Sequence, residues 1–146
     1  MPKLEYRLAE DGYPAIYHYE SIPREEIAVR FMCDYFVKDQ VVYEKSSTAN
    51  EGNLYIIYVK RSETEVPYSI KPSKVGMGYV LLEVREVDDA LEDYPLLTTL
   101  EMPDLMSLLL YLQSDYIYVN DLEWERSSTE IDEDRFIYVM YTKRTN

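Results

Sequence analysis

Asp34-Tyr35, followed nine residues on by Glu44-Lys45-Ser46-Ser47-Thr48, recurs 81 residues later as Asp115-Tyr116 and Glu125-Arg126-Ser127-Ser128-Thr129. Tyr43 and Trp124 stand immediately before the matching runs. Two residues are then inserted in the second occurrence. After them Leu54-Tyr55-Ile56-Ile57-Tyr58-Val59-Lys60-Arg61 matches Ile137-Tyr138-Val139-Met140-Tyr141-Thr142-Lys143-Arg144. The shared order and spacing read as an internal duplication. Upstream, Gly12-Tyr13 and Gly78-Tyr79 each open a strand-like run, and Pro23 and Pro103 each open a helix-like one.

Each copy reads as strand, helix, strand, strand. Period-two alternation and β-branched or aromatic residues predict a strand over Ala15 to Glu20, with Tyr79 to Val87 as its counterpart. An additional strand, Leu4 to Leu8, is expected to pair with Ala15 to Glu20 across the Asp11-Gly12 turn, with Tyr68 to Lys71 in the corresponding place of the second copy. Pro23 suits a first helical position, and Glu25 and Glu26 suit the positive end of the helix dipole. Ile27, Ala28, Phe31, Met32 and Tyr35 then share an apolar side, leaving Arg24, Glu26 and Arg30 on the other. The second helix, Pro103 to Gln113, is so rich in leucine that burial on nearly all sides is expected. The stretch Asp88 to Glu101 has no equivalent in this alignment, and is read as an insertion that covers that helix or faces a partner.

The fold expected is therefore α+β: two β(β)αββ units forming one antiparallel sheet of six to eight strands, with both helices on one face and a pseudo-two-fold axis between the halves. The 146 residues form one domain, with repeat one at 1–61, a connector at 62–78 containing Pro67, Pro72 and Gly76, and repeat two at 79–146. Pairing of the repeats across a dimer is the alternative to pairing within one chain.

Composition narrows the functional classes. The formal charge of −13 repels phosphates, so nucleic-acid binding is not expected. Nine basic residues face twelve acidic ones up to Ser73, a net −3, whereas six face sixteen from Lys74 on, a net −10. A solvated face or a docking surface for a basic partner fits that excess. No stretch approaches the roughly 18 apolar residues of a membrane span, and the N-terminus lacks the apolar core of a signal peptide. One cysteine, Cys33, builds neither a disulfide nor a cysteine-rich metal site, so a cytoplasmic, unprocessed protein is expected.

No motif for catalysis, metal or cofactor emerges. His18 is the one imidazole, aligned with Val84, and reads as structural; Cys33 aligns with Ser114 and reads as an inert buried thiol. Asp88-Asp89 with Glu92-Asp93, and Glu130 to Asp134, lack calcium-loop spacing and read as solvated charge. The four glycines, Gly12, Gly52, Gly76 and Gly78, form no phosphate-binding loop. No cofactor is expected.

Two features remain. Glu44-Lys45 and Glu125-Arg126 are polar patches repeated once per copy. The last strand of each copy is apolar or aromatic on both sides, with Tyr55, Tyr58, Tyr138 and Tyr141 as its tyrosines. The sixteen tyrosines carry hydroxyls that favour wet surfaces and protein interfaces. The leading expectation is a non-enzymatic protein-binding or regulatory module, or a homodimer, using these tyrosines with Glu44, Lys45, Glu125 and Arg126. The alternative is a small-molecule binder or minor enzyme with a pocket between the repeats. A third reading is an acidic decoy of a DNA-binding protein.

Overall fold

The structure, a computed structural model, describes residues 2–68, 80–88 and 94–145. The elements run β1 (Lys3–Leu8), β2 (Ala15–Tyr19), α1 (Arg24–Met32), β3 (Tyr35–Lys38), β4 (Val41–Asn50), β5 (Leu54–Arg61), then β6 (Val80–Glu86), β7 (Leu96–Met102), α2 (Leu105–Gln113), β8 (Tyr116–Val119), β9 (Leu122–Asp132) and β10 (Ile137–Arg144). All ten strands of the described residues belong to one sheet, ordered β2-β1-β5-β4-β3-β9-β10-β6-β7, with β8 also on β9.

The α+β class holds, but the sheet is larger than expected and mixed. The residues after each helix form three strands rather than the expected two, because a tight hairpin reverses the chain soon after the helix: Asp39 and Gln40, and likewise Asn120 and Asp121, take left-handed backbone angles suited to a two-residue turn. The β1–β5, β6–β10 and β3–β9 pairs are parallel. The crossover through the helix and the following hairpin brings the last strand of each half beside its first in the same direction.

The pairing scheme of β1–β5 recurs strand for strand in β6–β10, irregularities included. The β1–β2 register slips between Tyr6 and Arg7, and that of β6–β7 between Val84 and Arg85. Ser46 is skipped between β4 and β5, Ser127 between β9 and β10. These registers correct the expected upstream match. Leu4 pairs with Tyr55 and Leu82 with Tyr138, so β1 is the counterpart of β6 and β2 the counterpart of β7. The end of the supposed insertion, from Leu96 to Glu101, thus belongs to an ordinary strand, and His18 is level with Thr99 rather than Val84. Most of Tyr68 to Lys71 and of the connector lies outside the described residues, as do Gly76, Gly78, Asp89, Glu92 and Asp93.

Both helices pack against each other and into one core cluster that contains Leu4, Tyr6, Ile27 and Val29 from the first half and Leu82, Val84, Leu108 and Trp124 from the second. A smaller cluster, Leu81, Ile137, Val139 and Tyr141, lies on the opposite side of β6 and β10, with Tyr68 and Tyr94 against it. Two burial expectations are corrected. On α2 only Leu108 and Leu112 are buried, while Met106 and Leu110 are 50% and 60% exposed, because the sheet and α1 cover one side of it. Arg30 is buried rather than outward: Nη1 donates to Tyr6 Oη at 3.2 Å, and Nη2 to Glu133 Oε1 at 2.8 Å.

Candidate functional site

The two-residue insertion noted in the sequence lengthens the turn between β9 and β10, and this turn clasps the two halves together. On the helix side, Glu133 Oε1 receives Arg30 Nη2, and Tyr19 Oη donates to Glu133 Oε2 at 2.6 Å. Burial alone would raise the Glu133 carboxyl, but the Arg30 charge and its hydrogen bonds hold it below the usual carboxylate range. At the tip, Asp134 accepts from the Asp39 and Gln40 backbone N–H groups, each at 2.8 Å. These two acids fasten repeat two onto α1, β2 and the β3–β4 turn.

The other side of the same turn organises a buried charged cluster. Arg135 Nε donates to Asp132 Oδ2 at 2.7 Å and Nη1 to Glu83 Oε2 at 3.0 Å. Nη2 faces Glu83 Oε1 at 2.9 Å as an ion-pair contact outside hydrogen-bonding geometry. Arg85 Nε donates to the same Glu83 oxygen at 3.1 Å, and Nη1 to the Tyr94 carbonyl at 2.7 Å. Arg85 and Arg135 both stack on the Tyr68 ring, at 4.3 and 4.7 Å from its centroid. Burial opposes ionisation of Glu83, yet the two arginines outweigh it and lower its pKa; for Asp132 burial wins and raises it.

Beside this cluster Glu130 is 5% exposed and accepts a hydrogen bond from Tyr141 Oη at 3.1 Å. Burial first, and then the nearby Asp132 charge, push its carboxyl up to about 8, against the opposing effects of Tyr141 and Arg135. A cavity of about 120 Å³ opens onto it. Repeat one supplies Tyr35 from β3, the connector supplies Glu65, and the second half supplies Val87, Tyr94, Ser127, Ser128, Glu130 and Tyr141. The parallel β3–β9 joint sets Tyr35 level with Glu130. Asp34 secures that joint by accepting from Thr129 N at 2.9 Å and Thr129 Oγ1 at 3.3 Å.

The eight residues expected to form an interaction surface do not share one face. Tyr55 and Tyr138 are half-buried against the helix-side core, Tyr55 edge-on to Phe31. Tyr58 contacts Tyr13 edge-on, and Tyr141 is buried at 7% exposure, since Glu130, Tyr68 and Tyr94 surround it. Lys45 Nζ donates to the Phe31 carbonyl at 2.6 Å and Arg126 Nη1 to the Leu112 carbonyl at 2.8 Å, so this repeated basic position binds the last turn of each helix. Glu44 and Glu125 are exposed beside them. Glu130 to Asp134, expected as solvated charge, hold the joint and the buried cluster instead. Cys33 is buried, its thiol pushed up to about 12 by desolvation. His18 lies on the edge strand β2, paired with Glu5 and Glu20.

Sequence reasoning overlooked Glu83, Arg85, Arg135 and Glu65. One signal was present: Leu4-Glu5-Tyr6-Arg7 and Leu82-Glu83-Val84-Arg85 are the same L-E-x-R run in equivalent strands, each with an ion pair between its Glu and Arg. Among the described residues no three side chains of His, Cys, Asp or Glu are grouped to hold a metal ion, and no helix is long and apolar enough to cross a membrane. Comparison with protein-family profiles, curated proteins and solved structures finds no match for this chain.

Proposed function

We propose that the protein is a non-enzymatic binding module, built by duplication of a ββαβββ unit, that recognises its ligand in the pocket between the two repeats. The observation that supports this most is Glu130, a buried carboxyl opening onto a cavity lined by tyrosine and serine at the joint of the halves. Its counterpart in the first repeat is Ala49, so the feature belongs to one copy alone. A structural ion pair needs no cavity, whereas Glu130 lines one. At about 120 Å³ the pocket is far below the roughly 300 Å³ at which drug-sized ligands begin to fit, so the ligand is a small molecule or one side chain of a protein partner.

The protein-binding reading of the sequence is retained in altered form. Tyr116 and Tyr118 on β8, at 54% and 68% exposure, supply the tyrosine-bearing surface in place of Tyr55, Tyr138 and Tyr141. A backbone-amide NMR screen of small polar probes, about 100 to 150 Å³ in size like the cavity and of either charge or none, tests the reading. Shifts centred on Ser127, Ser128 and Glu130 are expected. Shifts confined to β8, or scattered over the surface, would count against the pocket.

A further inference from the structure

Resting on that reading, we propose that the pocket takes a compact alkylammonium group, either a free amine or the ammonium head of a partner's lysine. The volume is the first argument. A cavity of about 120 Å³ is slightly smaller than the ~150 Å³ cavity that accommodates benzene, which suits a methylated ammonium head and excludes a sugar or a nucleotide.

Charge is the second. Glu130 and Glu65 both line the cavity, and no Lys or Arg among the described residues forms an ion pair with either. The neighbouring arginines are already engaged: Arg135 by Glu83 and Asp132, Arg85 by Glu83 and the Tyr94 carbonyl. An anion entering here would meet two carboxyl groups and no free described cation. A cation would meet two carboxyl groups that no described cation pairs with, in a chain whose net −13 already draws cations from solution.

The lining is the third. Tyr35, Tyr94 and Tyr141 line the same cavity as the two carboxyls, the combination that favours organic ammonium ions over metal ions. A hard metal ion would ask for six or more oxygen ligands in a tight shell. The adjoining wall shows the same preference within the chain, since Arg85 and Arg135 both sit on the Tyr68 ring. Ser127 and Ser128 add hydroxyl acceptors for ammonium N–H groups.

Binding is then coupled to one proton. The groups around Glu130 are Asp132 on its own strand, Tyr141 on β10, Arg135 in the turn, Tyr35 on β3 and Glu65 in the connector. With its carboxyl pushed up to about 8, Glu130 holds its proton at neutral pH and releases it when an ammonium ion enters. Affinity for an ammonium ion that cannot itself lose a proton therefore rises with pH up to about 8.

The test follows the carboxyl carbon of Glu130 and the ring signals of Tyr141 by NMR on the full chain. Tetramethylammonium chloride, methylammonium chloride, a short lysine-containing peptide and neutral tert-butanol are titrated at pH 6.5 and 8.5, with sodium chloride as the ionic-strength control. Tetramethylammonium is expected to bind at least tenfold more tightly than tert-butanol, and several-fold more tightly at pH 8.5 than at 6.5. Glu130→Gln should remove that pH dependence. Glu65→Gln, a change at a half-buried connector site that leaves the core intact, should weaken the ammonium ion alone. Binding of all the amines assigns a free amine as ligand, whereas binding of the peptide alone assigns a partner's lysine; both support the proposal. Equal binding of tert-butanol and tetramethylammonium at both pH values would overturn the cationic inference while leaving the pocket reading intact. Silence of Glu130 and Tyr141 towards every probe would overturn both.

Discussion

At Glu130 burial and ionisation pull in opposite directions. An unfolded glutamate titrates near 4.3, and the folded one only at about 8, so between these values the folded chain carries a proton that the unfolded chain has lost. Stability from this group is therefore greatest below about pH 4, falls as pH rises through that window, and levels off above about 8. Asp132 acts in the same direction, while Glu83 and Glu133, whose pKa values are lowered, act in the opposite one. Comparison of the wild type with Glu130→Gln removes those shared contributions. In urea unfolding at pH 5 and pH 9, the wild type should lose stability relative to the variant by a few kcal/mol; parallel behaviour at the two pH values would mean that Glu130 is not held neutral in the fold. The sequence alone gave little hint of this residue. A carboxylate in the run Glu130 to Asp134 looks solvated until the β3–β9 pairing covers it, and that pairing joins residues about 95 apart in the chain. The burial of Cys33 was legible from its place at the end of an amphipathic helix, and desolvation there outweighs the opposing charges of Arg30 and Lys45.

At the level of elements, the repeated run E-[KR]-S-S-T finds a structural explanation. Its basic residue crosses back to the carbonyl end of the preceding helix, its first serine is the residue skipped in the strand register, and its threonine lies at the joint in only one of the two copies. Asp34 accepts from Thr129, whereas its counterpart Asp115 has a side chain 78% exposed and pairs with Arg126 of its own repeat. Substitution by alanine should separate the two. Asp34→Ala leaves the Thr129 N–H at a buried joint without its acceptor and is expected to lower stability by about 1–3 kcal/mol, while Asp115→Ala should change it by less than about 0.5 kcal/mol. Equal losses in chemical denaturation would show that the joint does not depend on Asp34. The helices and the last two strands of each half were readable from periodicity and from the repeated run. The short strands after the helices were not, because Asp39-Gln40 and Asn120-Asp121 are less distinctive turn pairs than those containing glycine. The counterpart of β1 was misplaced because the L-E-x-R run is only four residues long and its flanks have diverged.

Across the whole molecule, the halves repeat one plan and yet do not behave as separate bodies. One core cluster takes side chains from both, and the longer β9–β10 turn reaches from repeat two to Arg30, Tyr19, Lys38 and the β3–β4 hairpin. Neither half contains the whole of that core, so unfolding one exposes apolar surface on the other. The expectation is a single cooperative transition. Trp124, the one tryptophan, is buried in the second half and reports on it, while far-UV circular dichroism reports on all the strands and helices. Urea transitions followed by the two signals should superimpose. Arg135→Met should move both together to lower urea, by the equivalent of about 3–5 kcal/mol, because Glu83 and Asp132 would remain buried without the cation they share. An early fluorescence transition ahead of the circular dichroism would instead mean that the second half opens alone. The pocket between the repeats would then be a feature of one conformation among several, because Tyr35 and Glu130 are held level only while the two halves stay joined.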